Sequence, residues 1–348
     1  MQRLRYSTIS VPWKSPASVS VFSTRDNEFV RIWVESDSTM TLLAKNCAQL
    51  QFLDVSYTYG KITDESIVLV AAHCPQLRSL NFSHTGGEIT DVSIKMVATN
   101  CIHLRSLNIS YTEGAITDKS MTRVAANCTE LQALNIRRTG GQITDVSMKE
   151  VARNCVHLQS LDVSYTKGKV TDASMSLVAQ YCKQLNSLAI GSTSGKITVL
   201  SMKPLLTNCT QLQSLDVSCN KDITDDLLEF VAENGAQLQS LNVSETWGKI
   251  TDKSMTLVAT NCTKLQSLDV SGTHGRITDE SIKVLAANCV QLRTLNVSDT
   301  EGKITDESIR LVAMNCLQLQ RLNCTYNLSI TEDSTQLFSK RCQVHRFE

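Results

Sequence analysis

An α/β solenoid of about eleven stacked strand–helix turns is the architecture that the 348-residue sequence predicts. Three observations predict it. A cysteine returns every 27 residues, with two steps of 26: Cys47, Cys74, Cys101, Cys128, Cys155, Cys182 and Cys209, then Gly235 once in its place, then Cys262, Cys289, Cys316 and Cys342. After each comes a short string of alternating character, such as "LQFLDVS" or "LRSLNIS". A string of helical periodicity closes the unit, as in "ITDESIVLVAAHC". Self-similarity at such a period marks one repeated supersecondary unit, which buries its apolar face only by stacking on its copies.

In the strand strings two Leu and a Val or Ile alternate inward, while Asp or Asn and Ser point the other way. That pattern, at a period of about 20 to 29 residues, is the signature of leucine-rich repeats. In the helix strings Ile67, Val70 and Ala71, or Met121, Val124 and Ala125, share one face at i, i+3, i+4. Thr and Asp at the helix start suit an N-cap and the positive end of the helix dipole. The Asn that precedes most of the cysteines, as at Asn46, Asn100, Asn127 and Asn154, is expected to cap the C-terminus in the left-handed conformation.

The two short steps test this reading. All nine 27-residue units carry Thr-x-Gly after the strand, for example Thr58 and Gly60, whereas both 26-residue units lack that Gly and place Asn220 or Asn327 where the others have Thr. One Gly absorbs one extra residue in the turn, where a positive φ costs it little. The inward Thr or Asn is expected to bond to the backbone of neighbouring turns.

The predicted organisation is a leader or N-terminal cap over 1–34, partly disordered; a solenoid over 35–342; and a tail over 343–348. "FVRIWVES" is the candidate capping strand. The solenoid is expected as a right-handed horseshoe with a parallel sheet on its concave face and helices on its convex face. The repeat over 185–209 breaks the pattern: Ala189 and Gly191 replace polar strand residues, Val199 replaces the Asp at the helix start, and Pro204 sits inside the helical stretch. It reads as a decayed copy with a local change in curvature.

Lys plus Arg equals Asp plus Glu at 34 each, so neither nucleic acid nor an anionic membrane is expected as partner. No apolar run spans a bilayer. Eleven of the thirteen cysteines fall in one column, no C-x-x-C occurs, and the six His share no ligand spacing with them. Buried reduced thiols are therefore expected rather than metal ligands or disulfides, which suits a cytoplasmic or nuclear setting. No nucleophile turn, zinc-protease or phosphate-loop motif is present, and the stacked Asp54, Asp162, Asp216 and Asp269 alternate with Asn, as a solvated ladder would. The expectation is a protein without catalytic residues, metal or cofactor.

A binding face should lie where side chains leave the Ser and Asp/Asn pattern of the outward strand positions. In the N-terminal half these are Tyr57, Tyr59, His84, Tyr111, Arg137, Arg138 and Tyr165, types enriched at interface hot spots. A second group is aromatic and acidic: Glu245, Trp247, His274, Asp299 and Glu301. Both are expected on the concave face, against a protein ligand.

The order C-x-x-L-x-x-L-x-[VI]-S, then I-T-D, then an apolar helix ending in A-x-N, resembles the cysteine-containing class of leucine-rich repeats. It is clearest in "NGAQLQSLNVSETWGKITDKSMTLVATNC". Such repeats occur in F-box substrate receptors of SCF-type ubiquitin ligases, and in the antagonist-of-mitotic-exit-network family, which lacks the F-box. The resemblance implies a substrate-recognition scaffold in ubiquitin-dependent degradation, with ligase subunits among its partners. Residues 1–34 contain no L-P-x-E-like F-box start. The other reading is a stand-alone recognition or regulatory protein, inhibitor-like or an immune sensor, without a ligase link.

Overall fold

In the first full turn Leu50, Leu53 and Val55 are buried while Phe52 and Asp54 between them are half-exposed, the alternation a strand imposes. A computed structural model describes residues 7–8, 20–23, 29–33 and 37–346 of the chain, which divides into two compact units, Met1–Cys182 and Lys183–Glu348. Each unit is a leucine-rich-repeat solenoid, as the sequence predicts.

In the first unit the strands Phe52–Asp54, Ser79–Asn81, Ser106–Asn108, Ala133–Asn135 and Ser160–Asp162 pair in parallel, each Leu facing the next across the ladder. Ten-residue helices alternate with them, from Asp37–Asn46 to Asp172–Tyr181. The expected capping strand is there: Phe29–Trp33 pairs in parallel with Phe52–Asp54, Ser20–Ser23 runs antiparallel to it, and Ser7–Thr8 antiparallel to that in turn. Short added strands of this kind keep the first repeat from being a bare sheet edge. The remainder of the expected leader lies outside the described residues.

In the second unit the parallel strands run from Ser187–Ala189 to Arg321–Asn323 in the same register. Gln343–His345, expected as part of a tail, adds one more parallel strand against Arg321–Asn323. The helix Val199–Asn208 continues through Pro204.

The core repeats as the sequence does. Ile62, Ile67, Val70, Ala71, Cys74, Leu77 and Leu80 are each at most 1% exposed, and their counterparts follow at every turn. Each fully buried Leu, Ile or Val contributes about 1.5–3 kcal/mol, so stability is spread evenly along each stack. The Cys thiols lie inside it: Cys101, Cys128 and Cys155 each donate to the carbonyl of the preceding Cys at 3.7 Å. Burial pushes the thiols of Cys74, Cys101, Cys128, Cys155 and Cys289 up to about 12.

Two local expectations are corrected. The Asn that precedes most of the cysteines is the last helical residue and is not left-handed; the Cys itself is the cap, with φ near −100°, as at Cys101 (−104°) and Cys128 (−99°). Asn127 instead donates its amide to the Ala98 carbonyl of the preceding turn at 3.0 Å. The inward Thr of most long turns bonds within its own turn, Thr112 Oγ1 donating to the Ile109 carbonyl at 2.9 Å, whereas Thr193 Oγ1 donates to Asn220 Oδ1 of the next turn at 3.1 Å. The Asn of each short turn reaches the preceding one: Asn220 Nδ2 donates to the Ile190 carbonyl at 2.7 Å, and Asn327 Nδ2 to Thr300 Oγ1 at 2.7 Å.

The Asp at each helix start does more than face the dipole. Asp118 accepts from the Thr144 N–H (2.9 Å), Thr144 Oγ1 (2.6 Å) and Ser147 Oγ of the following turn, and Asp91 accepts from the Thr117 N–H and Oγ1 in the same way. These carboxylates stitch one helix start to the next. In the irregular repeat Val199 takes the Asp place, and one turn later Leu227 takes the Ser place and is fully buried. The Ser donor is lost together with its acceptor, while Thr224 at the same helix start makes no side-chain cap bond.

Candidate functional site

The turn after each strand of a long repeat is shaped by two left-handed residues on either side of the inward Thr, whereas the short turns have one, Cys219 or Tyr326, before the inward Asn. Tyr57, His84, Tyr111, Arg138 and Tyr165 hold the first such position in successive turns, with φ of 61°, 57°, 57°, 52° and 57°. Tyr59, Glu113 and Lys167 hold the second, with φ between 46° and 57°. Gly86 and Gly140 hold it in the intervening turns because a Cβ at Gly140 would come within 2.9 Å of Gly114 Cα, and one at Gly86 within 3.0 Å of the Gly60 nitrogen. Left-handed backbone costs an L-residue about 1–2 kcal/mol, and the types enriched there besides Gly are Asn, Asp and His. No Asn stands in the first of these columns in any turn, and Tyr stands there four times.

Backbone hydrogen bonds set the spacing of the column. The Tyr57 N–H donates to the Ser83 carbonyl, that of His84 to Ser110, that of Tyr111 to Arg137 and that of Arg138 to Ser164, at 2.9–3.2 Å. The parallel ladder thus runs past the strands into the turns and holds successive side chains about 4.8 Å apart, close to the separation at which planar groups stack. They do stack. Tyr57 and His84 lie 4.5 Å apart with planes 10° from parallel, and His84 and Tyr111 lie 4.0 Å apart at 20°. The Arg138 guanidinium then sits 5.4 Å from the Tyr111 ring centre and 4.5 Å from that of Tyr165. Arg137 covers Tyr165 at 4.5 Å as well and donates Nε–H to the Tyr111 hydroxyl at 3.3 Å. Burial pushes the Arg137 guanidinium down, but Tyr111, Asp162 and Tyr165 outweigh this and keep it charged.

The result is one continuous aromatic–cationic ladder across five turns of the first unit. Tyr59 lies tilted beside Tyr57 at 6.2 Å. A shallow cleft of about 210 Å³ opens over Gly86, lined by Tyr59, His84, Gly86, Tyr111, Glu113 and Arg138. Five turn cations, Lys61, Arg137, Arg138, Lys167 and Lys169, outnumber the two turn carboxylates, Glu88 and Glu113.

All seven candidates of the N-terminal group therefore meet. Their place differs from the expectation: they do not project from the strands but from the turns, two to five residues beyond strand ends such as Asp54, Asn81, Asn108, Asn135 and Asp162. The strand alternation was extended too far, because the chain turns left-handed at the third residue after each strand. In the second unit the same two columns carry Glu245, Trp247, His274, Asp299 and Glu301. Trp247 and His274 are tilted at 6.0 Å, and His274 pairs with Glu301 at 3.3 Å. Glu245 reaches over Gly272, where a Cβ would lie 2.5 Å from its Oε1, and Asp299 stands one turn further on. No stack comparable to the first forms there.

Glu113 and Gly86 escaped the sequence reading, although the Gly-Gly pairs at 86–87 and 140–141 mark where the second column is empty. Among the described residues no group of three or more His, Cys, Asp and Glu could hold a metal ion, and no helix is long and apolar enough to cross a membrane. An array of ring edges, guanidinium donors and a small cleft can hold a polypeptide.

The family described as Leucine Rich repeat matches residues 208–226 and 261–286. No curated protein matches the sequence. Among solved structures the chain is similar to the Rad7–Elc1 complex of yeast, with 18% identity, a TM-score of 0.64, and 88% of this chain and 86% of that chain covered. It is also similar to the leucine-rich repeat-containing protein LegL7 from Legionella pneumophila, at 16% identity and a TM-score of 0.48, covering 78% of this chain and 93% of that one.

Proposed function

We propose that this protein is a non-catalytic scaffold that recognises another protein through the ladder Tyr57–His84–Tyr111–Arg138–Tyr165. The observation that carries the reading is the placing of Tyr, His and Arg, in five successive turns, at a left-handed position that Gly272 shows to be open to glycine. Backbone strain of this kind persists where the side chain has a use. Tyr and Arg are the types that dominate binding energy at interfaces.

Within that reading the protein is a substrate-recognition module that assembles with ligase subunits, in the cytosol or nucleus. Two things support this finer statement: the resemblance of its repeats to those of ubiquitin-ligase receptors, and the fold it shares with Rad7, which crystallised in complex with Elc1. The test is a tagged pull-down with mass spectrometry, beside a variant carrying Tyr111→Ala, Arg137→Ala, Arg138→Ala and Tyr165→Ala. Loss of a partner set with the fold intact upholds the ladder, and ligase subunits among all recovered proteins uphold the module. Identical partner sets from both proteins refute the ladder; a ladder-dependent set with no ligase subunit leaves a stand-alone recognition protein.

A further inference from the structure

Resting on the ladder as the binding site, we infer that its partner presents an extended acidic segment, whose carboxylates dock on Arg137 and Arg138 and whose neighbouring side chain fills the cleft over Gly86.

Three features of the ladder select this chemistry. First, the two guanidiniums are held without a close ion pair, although the charge of Asp162 acts on Arg137. Both lie over the Tyr165 ring at 4.5 Å, and Arg137 is further fixed by the Tyr111 hydroxyl, yet neither is ion-paired to a carboxylate among the described residues. The Tyr111 bond occupies one donor of Arg137, and each guanidinium has five in a planar fork that matches a carboxylate. A pre-positioned fork loses less side-chain freedom on binding than a free one. Second, the charge around the ladder is predominantly positive, the five turn cations exceeding the carboxylates Glu88 and Glu113. Lys167 and Lys169 follow Arg137 and Arg138 in the next turn, and all four precede the unit's end at Cys182. Third, the ring faces in the middle of the ladder are already covered, while Tyr57 and Tyr59 at its end stay exposed. His84 is stacked on both sides, and Tyr111 lies between His84 and Arg138, so no free face remains there for a nucleobase. What the ladder offers outward is ring edges and N–H donors, and these suit carboxylates flanked by apolar side chains.

The dimensions agree. Five rungs of a parallel ladder span roughly 19 Å, the length of about six residues of extended chain. The cleft of about 210 Å³ runs from Tyr59 to Arg138 with Glu113 also in its lining, so an apolar residue seated toward Tyr59 brings acidic neighbours to the guanidiniums.

The experiment is selection from a phage library of random peptides, each of about a dozen residues, on the full chain, with counter-selection on Arg137→Ala/Arg138→Ala. Melting curves of both proteins establish equal folding; should the alanine pair melt lower, Arg137→Gln/Arg138→Gln takes its place. The expected result is ladder-dependent peptides several-fold enriched in Asp and Glu. The best of them, synthesised, should bind the full chain at least about tenfold more tightly than the variant, with the gap closing as salt rises to about 0.5 M. Ladder-dependent peptides that are neutral or basic overturn the acidic partner and leave the ladder as a binding site. Peptides that bind both proteins alike, or no enrichment at all, overturn the inference and the ladder together.

Discussion

The imidazole of His84 lies 4.0 Å from the ring of Tyr111, 20° from parallel, although 27 residues separate them in the chain. The ladder bond from the Tyr111 N–H to the Arg137 carbonyl and its equivalent from His84 to Ser110 make that distance a property of the backbone. A double-mutant cycle with His84→Ala and Tyr111→Ala should give a coupling of about 0.5–1.5 kcal/mol in urea unfolding. Tyr111→Phe keeps the ring and loses only the bond from Arg137, at a cost of about 1 kcal/mol. Coupling indistinguishable from zero would mean that the rings merely adjoin.

Acid should loosen both stacks. Burial pushes the carboxyls of Asp91 and Asp118 up, but the side-chain bonds from Ser and Thr and the Thr N–H outweigh it and hold each below its ordinary value. Asp37 and Asp306 are depressed for the same reason. A carboxyl lower in the folded chain than in the unfolded one stabilises above the unfolded value near 3.8 and loses that contribution as pH falls through the folded one. The urea midpoint should therefore drop below about pH 4. Asp118→Ala, which leaves Thr144 and Ser147 without their acceptor, should cost about 1.5–3 kcal/mol at neutral pH and weaken the acid dependence.

The thiols give the opposite limb. Desolvation raises Cys74, Cys101, Cys128, Cys155 and Cys289 to about 12 and Cys209, Cys262 and Cys316 to about 11, from 9.0. Their contribution is whole below pH 9 and is lost as pH rises through 11 to 12, since above 9 the unfolded chain releases protons that the folded one retains. At neutral pH a maleimide should label half-buried Cys219 first and Cys47 more slowly, and the rest of the column only after unfolding. Rapid native labelling of Cys128 or Cys155 would contradict the packing.

Gly140 and Gly87 should respond differently to alanine. Both have positive φ, 77° and 83°, but a Cβ at Gly140 meets Gly114 at 2.9 Å while nothing lies within 4 Å of one at Gly87. Gly87→Ala should cost about 1 kcal/mol, the left-handed penalty alone. Gly140→Ala must also push back the neighbouring backbone and should cost about 1–3 kcal/mol more, the price of overpacking. Equal melting points would remove the close approach as the reason for glycine there.

The irregular repeat offers a paired test. Val199→Asp alone sets a carboxylate opposite the buried Leu227 and should destabilise, while Val199→Asp with Leu227→Ser rebuilds the acceptor and donor of the other turns and should recover most of the loss in thermal melting.

The sequence by itself determined the repeat, its step, the buried column of Leu, Ile, Ala and Cys, and the left-handed Gly of each long turn, because all of these return at one period and obey local rules of strand, helix and turn. It also yielded the residues of the ladder, since Tyr and Arg stand out against Ser and Asn. The direction in which they point was not legible: it depends on where each strand stops, and three-residue strands followed by a left-handed residue are set by pairing with neighbouring turns. For the same reason the tertiary structure alone revealed Asp118 reaching Thr144 and Ser147, and Asn220 crossing to Ile190. Those partners are about one repeat apart, close only once the turns are stacked, and a string of residues carries no distance between its own copies.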